Sequence, residues 1–142
     1  MAAAPASRLG NPVQVIQLLM LGSAATLFLG GLLSDIAYAR SYEIQWTNFA
    51  AWLIAGAMVF TGVALAGSLI EAVLPRVRRR AALLLLVMVL VIFVLGLVNS
   101  FIHTRDAWGS MPSGLVLSIL VTLLALATTG FRLASLRTGA EA

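Results

Sequence analysis

The chain has 142 residues, of which 61% are hydrophobic and only 10% are charged, and its mean hydropathy is +1.05. Because a soluble domain is typically about 45–50% apolar and about 25% charged, this composition excludes a water-soluble fold. The net charge is +4, but all nine basic residues are arginines that flank apolar runs. That grouping is typical of membrane orientation signals and not of nucleic-acid binding. The absence of cysteine excludes disulfides, thiolate metal sites and thiol nucleophiles.

Four apolar runs predict four transmembrane helices, at about residues 13–33, 48–70, 81–102 and 113–131. A hydrocarbon core about 30 Å thick requires about 20 helical residues, and each run is close to that length. Short connections between consecutive spans favour an up-down-up-down order. Residues 1–142 are therefore predicted to be a single all-α domain, a four-helix transmembrane bundle.

Arginines predict the orientation of the bundle. Four of them directly precede or open the third span: Arg76, Arg78, Arg79 and Arg80. Together with those of the two terminal segments they outnumber Arg40 and Arg105 on the opposite side, which predicts that both termini are cytoplasmic. A bacterial inner membrane is the expected location. The arginine group is also expected to bind anionic lipid headgroups or a partner protein, with Glu71 facing it.

Small residues with close-packing spacing occur in the first two spans: Gly22, Thr26 and Gly30, then Gly62 and Ala66. Small side chains allow two helices to approach closely in lipid. These faces are therefore predicted to pack against another helix, from a second copy or from a larger complex. Gln17, near the start of the first span, has two open interpretations: solvation at the interface, or a polar contact to a neighbouring helix.

Polar residues collect where the first span ends and the third span ends: Asp35, Tyr38, Asn99, His103, Arg105 and Asp106. In an up-down bundle these ends lie on the same side of the membrane. We expect Asp35 to pair with Arg105 and His103 to hydrogen-bond nearby. The patch is interpreted as a structural rim or as a small site for a headgroup, a quinone ring or a partner protein. Catalysis is disfavoured because no nucleophile with a base and an orienting group is evident.

His103 is the sole histidine, so neither zinc nor another metal is predicted. Haem b would need a second axial ligand, for which Met88 or Met111 is the available choice. The prediction is therefore no cofactor, with haem b or quinone as the alternative.

Five short elements follow one another along the chain: Asn11-Pro12, Ser34-Asp35-x-x-Tyr38, Trp52 with Gly56, Gly67 to Glu71, and Asn99-x-x-x-His103-x-Arg105-Asp106. By the order of these elements, over residues 10–131, the chain resembles an uncharacterised family of small bacterial four-helix inner-membrane proteins. Members of that family carry histidine before the proline, where this chain has Asn11, so no role of that imidazole is expected here. The resemblance implies no particular activity. Some relatives are linked to Rieske-type electron-transfer modules, which implies respiratory neighbours.

These observations predict a non-enzymatic accessory, assembly or anchoring subunit of a larger membrane complex, such as a respiratory one. Its expected partners are membrane lipids and either other membrane subunits or a second copy, and no nucleic acid. The alternative is a redox-linked protein that holds quinone or haem b in the outer polar patch. A small transporter is the least favoured function, because the charged residues lie at the ends of the spans.

Overall fold

The structure is a computed structural model that describes residues 12–73 and 79–140. Its helices are α1 (Pro12–Ser41), α2 (Ile44–Val73), α3 (Arg79–Ile102), the short α4 (Ala107–Ser110) and α5 (Ser113–Ala140). Within these residues, the four long helices α1, α2, α3 and α5 are each long and apolar enough to cross a membrane. The predicted four-helix transmembrane bundle is therefore confirmed.

The four long helices pack in a square. α1 contacts α2 and α5, and α3 contacts the same two helices, so the order around the bundle is α1–α2–α3–α5. We call the end that carries the α1–α2 turn and α4 the outer end, and the end where α1 begins and α5 finishes the inner end. From the arginine distribution, the inner end is the one expected to face the cytoplasm.

The interior between the ends is apolar and closely packed. Its central cluster includes Phe28, Ile54, Ile92 and Val121, and the helices approach each other over small residues such as Gly96. A Cβ atom added at Gly96 would lie 3.2 Å from the ring of Phe28, which is fully buried. Larger apolar side chains cover the outside, which suits lipid: Trp52, Val59, Phe101 and Leu123 are among the most exposed.

Helix ends extend beyond the predicted spans. α1 continues to Ser41 and α2 starts at Ile44, so the predicted first loop, residues 34–47, is reduced to Tyr42 and Glu43. Tyr42 has a left-handed backbone (φ 58°), and its amide donates to the carbonyl of Tyr38, which closes the last turn of α1. The tail expected after residue 131 is also helical, to Ala140. Hydropathy marks the part of a helix immersed in hydrocarbon, whereas helical hydrogen bonding continues into the headgroup region.

Candidate functional site

A buried carboxylate organises the outer end of the bundle. Asp35, on α1, is completely buried. Its Oδ1 atom lies 2.9 Å from Nε2 of His103, which follows the end of α3. The hydroxyl of Ser118, on α5, donates to Oδ2 of Asp35 over 2.6 Å. One carboxylate thus connects three helices that are distant in sequence.

Asn99 closes these contacts into a ring. Its side-chain amide donates to Oγ of Ser118 over 3.0 Å, and its backbone oxygen lies 2.9 Å from Nδ1 of His103. We call Asp35, Asn99, His103 and Ser118 the outer cluster. All four residues are buried, and Oδ1 of Asn99 has no hydrogen-bond partner among the described residues.

The outer cluster favours the charged form of His103. Each ring nitrogen faces an oxygen acceptor, and only the imidazolium carries a hydrogen on both nitrogens. Burial lowers the pKa of His103, but the hydrogen bond to Asp35, the bond to the Asn99 carbonyl and the negative charge of Asp35 outweigh it. The pKa of His103 is therefore raised above its ordinary value of 6.5.

A second buried ion pair lies at the inner end. Nη2 of Arg132, on α5, donates to Oε1 of Glu71 on α2 over 2.6 Å and to Oε1 of Gln17 on α1 over 2.5 Å. The Nε2 group of Gln17 in turn donates to Oγ of Ser68 over 3.1 Å. We call Gln17, Ser68, Glu71 and Arg132 the inner cluster. All four residues are buried, so this cluster joins α1, α2 and α5 without relying on solvent.

The hydrogen bonding of the inner cluster is incomplete. Oε2 of Glu71 and Nε of Arg132 are buried and have no partner among the described residues. Charges removed from solvent are stabilised mainly by each other, and removing one partner leaves the other charge uncompensated. Each member of the Glu71–Arg132 pair therefore depends on the other.

The two clusters lie near opposite edges of the hydrocarbon core. A rise of 1.5 Å per residue places Gln17 and Asp35 about 27 Å apart along α1, close to the thickness of about 30 Å of a hydrocarbon core. The apolar cluster around Phe28 lies between them. Thr61 and Thr128 are buried in the same region, but their hydroxyls donate to carbonyls of their own helices. Charge is thus confined to the two ends of the interior.

A largely apolar groove of about 310 Å³ opens beside the outer cluster. The groove is lined by Tyr38, Ala39, Tyr42, Met111, Pro112 and Leu115. Tyr38 lies about one turn beyond Asp35 on α1, and Leu115 lies about one turn before Ser118 on α5. The groove therefore lies at the same end of the bundle as the buried carboxylate, about one helical turn away along α1 and α5.

The structure brings together some of the residues predicted for the outer patch. Asp35, Asn99 and His103 form the outer cluster, and Tyr38 lines the groove. The predicted Asp35–Arg105 pair is wrong. Arg105 and Asp106 are exposed on the connection after α3, whereas His103 faces into the bundle and reaches the carboxylate.

The expected position of Glu71 is also wrong. Glu71 points into the bundle and pairs with Arg132, while Arg79 and Arg80 are exposed. Arg76 and Arg78, which were predicted to bind lipid or a partner, lie outside the described residues. Arg132 follows the predicted last span and is not among the site residues that the sequence predicts; its contact with Glu71 alone reveals its role.

The small residues predicted to pack helices are divided between the inside and the outside. A Cβ atom at Gly30 would lie 3.2 Å from Leu53, and one at Gly62 would lie 3.7 Å from Phe93, so both glycines face helices of the same chain. A Cβ atom at Gly22 would meet nothing within 4 Å, and Thr26 and Ala66 are exposed. Contact of these three residues with another chain stays a prediction.

A protein-family comparison agrees with the fold and covers the charged residues of both clusters. The family model DUF2231, described as a predicted membrane protein, matches residues 18–136. The chain belongs to the DUF2231 family. This membership confirms the predicted relation to an uncharacterised family of membrane proteins. The matched part of this DUF2231 chain includes Asp35, Glu71, His103 and Arg132. The match begins at residue 18, so it does not include Gln17. No curated protein and no solved structure matches the chain.

Metal binding finds no support within residues 12–73 and 79–140. No three histidine, aspartate or glutamate side chains there lie close enough to hold a metal ion. The ring nitrogens of His103 are both engaged by oxygen atoms. Both ring nitrogens in this DUF2231 chain are therefore committed to hydrogen bonds with oxygen atoms.

Proposed function

We propose that this multi-pass membrane protein is a non-catalytic accessory subunit of a bacterial inner membrane that binds a partner's transmembrane helix on the outward face of α1. The observation that supports this proposal is the open surface at Gly22, where an added Cβ would meet nothing within 4 Å. One turn further, the exposed Thr26 donates its hydroxyl to the Gly22 carbonyl. The exposed Leu19 and Leu29 flank the two small residues, which leaves a depression on the lipid side.

The positions of the charged groups agree with an accessory role. Glu71, Arg132, Asp35 and His103 all face inward and connect helices of the same chain. The part of the surface left for a partner inside the membrane is apolar, and close approach over small residues is what favours helix association there. A partner helix would therefore dock by packing, without any charge from the bundle interior.

Gly22→Leu is expected to release the partner without unfolding the bundle, because an added Cβ meets nothing within 4 Å and the larger side chain occupies the surface where the partner would pack. The measurement is native gel electrophoresis of membranes solubilised in a mild detergent. The wild-type chain should migrate in a larger complex, and the Gly22→Leu chain should migrate as the released subunit.

Gly130→Leu is the matched control for this experiment. Gly130 lies on α5, is exposed, and also has nothing within 4 Å of an added Cβ. The control should leave the complex intact. Equal migration of the wild-type and Gly22→Leu chains would contradict the proposal. Copies with two different tags, expressed together, show whether the partner is a second copy of this chain.

A quinone is the second candidate ligand, and the groove beside the outer cluster favours it. The groove has two tyrosines and four apolar side chains at the outer membrane edge, which suits an amphipathic ring that arrives through lipid. Geometry favours quinone over haem b, because a haem iron would require a free ring nitrogen of His103. Nε2 is bonded to Asp35 and Nδ1 to the Asn99 carbonyl.

Leu115→Trp is expected to fill the groove and to reduce the quinone that copurifies with the protein by about tenfold, the effect of losing roughly 1.4 kcal/mol of binding. The quinone is extracted from the purified protein and quantified by chromatography. Leu123→Trp, at an exposed position of the same helix, is the control. Equal quinone in both variants, or none in the wild-type protein, would exclude this candidate. A Soret band lost on His103→Ala would indicate haem b instead.

A further inference from the structure

We propose that the outer cluster is a proton-binding site whose loaded form holds α1, α3 and α5 together at the outer end, so that the bundle responds to the pH of the outer compartment. This inference is independent of the proposed partner and of the quinone candidate. It rests on four buried residues and the hydrogen bonds between them.

The hydrogen bonds show why the proton is needed. With the proton bound, His103 donates from Nε2 to Asp35 and from Nδ1 to the Asn99 carbonyl, each over 2.9 Å. After the proton leaves, one nitrogen lone pair faces an oxygen atom at the same distance. The Asn99 carbonyl has no hydrogen to donate, and neither does the ionised carboxylate of Asp35. One attraction is thus replaced by a repulsion inside the bundle.

The described side chains that contact the pair offer no replacement donor. The hydroxyl of Ser118 already donates to Oδ2 of Asp35, and the amide of Asn99 already donates to Ser118. On the α5 side, a Cβ at Gly114 would lie 3.0 Å from Cε1 of His103, so the ring packs directly on the helix backbone. The imidazole therefore cannot turn towards water unless α5 and the end of α3 move apart.

Few charged groups lie near His103 among the described residues. α1 contributes Asp35, and α5 contributes the uncharged Gly114 and Ser118. Arg105 and Asp106, in the connection that follows His103, are exposed. Tyr38 lies one turn from Asp35 on α1. Among the described residues, the charged group in contact with His103 is therefore Asp35.

The pKa of His103 agrees with this geometry. Burial lowers the pKa, and the contacts with Asp35 and Asn99 raise it by more, so the proton is held beyond the ordinary value of 6.5. The adjoining groove, lined by Tyr38 and Leu115, lies at the same end of the bundle as the pair.

Imidazole NMR of the labelled protein in micelles tests proton binding directly, because His103 is the sole histidine and gives one unambiguous signal. The imidazolium signal is expected to persist above pH 6.5, and Asp35→Asn is expected to lower the midpoint by about one pH unit or more. A neutral tautomer already present below pH 6.5, or a midpoint unaffected by Asp35→Asn, would overturn the proposal.

Cysteine labelling tests the loosening of the outer end, because the chain has no cysteine of its own. Ser34 is buried beside Asp35, and its hydroxyl bonds only to its own helix in the contacts described, so Ser34→Cys is a mild substitution. The rate at which a membrane-impermeant maleimide labels this thiol is divided by the rate for the exposed Ser41→Cys variant. This ratio removes the intrinsic effect of pH on thiol reactivity.

The labelling ratio is expected to rise several-fold with pH, with the midpoint that NMR gives for His103. His103→Gln should abolish this pH dependence. A ratio that stays constant while the imidazole titrates would overturn the coupling between proton binding and helix packing.

Discussion

Replacing Arg132 by methionine is expected to lower the free energy of unfolding by about 3–5 kcal/mol, the usual cost of breaking a buried ion pair by removing one partner. Methionine keeps much of the length of arginine but leaves the buried carboxylate of Glu71 without its donor. The Oε1 atom of Gln17 loses its donor as well. Unfolding of the purified protein by SDS titration in micelles measures the effect.

The same experiment separates the ion pair from general effects of charge. Arg137→Met removes a positive charge from an exposed position of the same helix and should leave the stability within experimental error. Glu71→Leu combined with Arg132→Met should recover most of the lost stability, because a buried pair replaced by apolar side chains is often neutral. A double variant as unstable as the single Arg132→Met variant would show that the charges themselves were not the cause.

Asp35→Asn is expected to cost about 3–5 kcal/mol at a pH well below 6.5, where His103 is charged and loses its buried partner. The carboxylate accepts from both His103 and Ser118, and the asparagine amide cannot accept at both positions. Asp106→Asn, which removes an exposed carboxylate near the same end, is the control. An equal loss of stability in both variants would contradict a specific role of Asp35.

Asp35→Asn should also reverse the effect of pH on stability. Since the folded pKa of His103 is raised, its contribution is fully present below about 6.5 and is lost as the pH rises through the folded pKa. Without the carboxylate, burial dominates and lowers the pKa of His103, so the stability of the variant should increase as the pH rises through that lower value. Unfolding curves at several pH values test the reversal, and His103→Gln should remove both slopes.

The fold could be predicted because the membrane leaves few choices to a long apolar segment. Backbone amides and carbonyls in hydrocarbon must be satisfied internally, so each apolar run becomes a helix. Hydropathy did not give the helix ends. Residues 34–41 fall in the predicted first loop because charged and aromatic residues interrupt the apolar run there, yet they continue α1 at the headgroup level.

The partners of the buried charges could not be predicted from single spans. Each span is apolar on all sides, so the sequence does not show which face turns inward. Asp35 was therefore assigned to Arg105, which is exposed, and Arg132 was placed in a tail. The general tendency of ionisable residues in spans to face the bundle interior was the available signal.

The order of the clusters along the chain has a consequence for biosynthesis. Both buried carboxylates, Asp35 and Glu71, belong to the first two helices, whereas the groups that neutralise them, His103 and Arg132, belong to the second half of the chain. A newly inserted α1–α2 hairpin therefore carries two acids whose counterions have not yet left the ribosome. His103 follows α3 and Arg132 lies on α5, so Asp35 can be neutralised once α3 has packed, and Glu71 only when α5 packs.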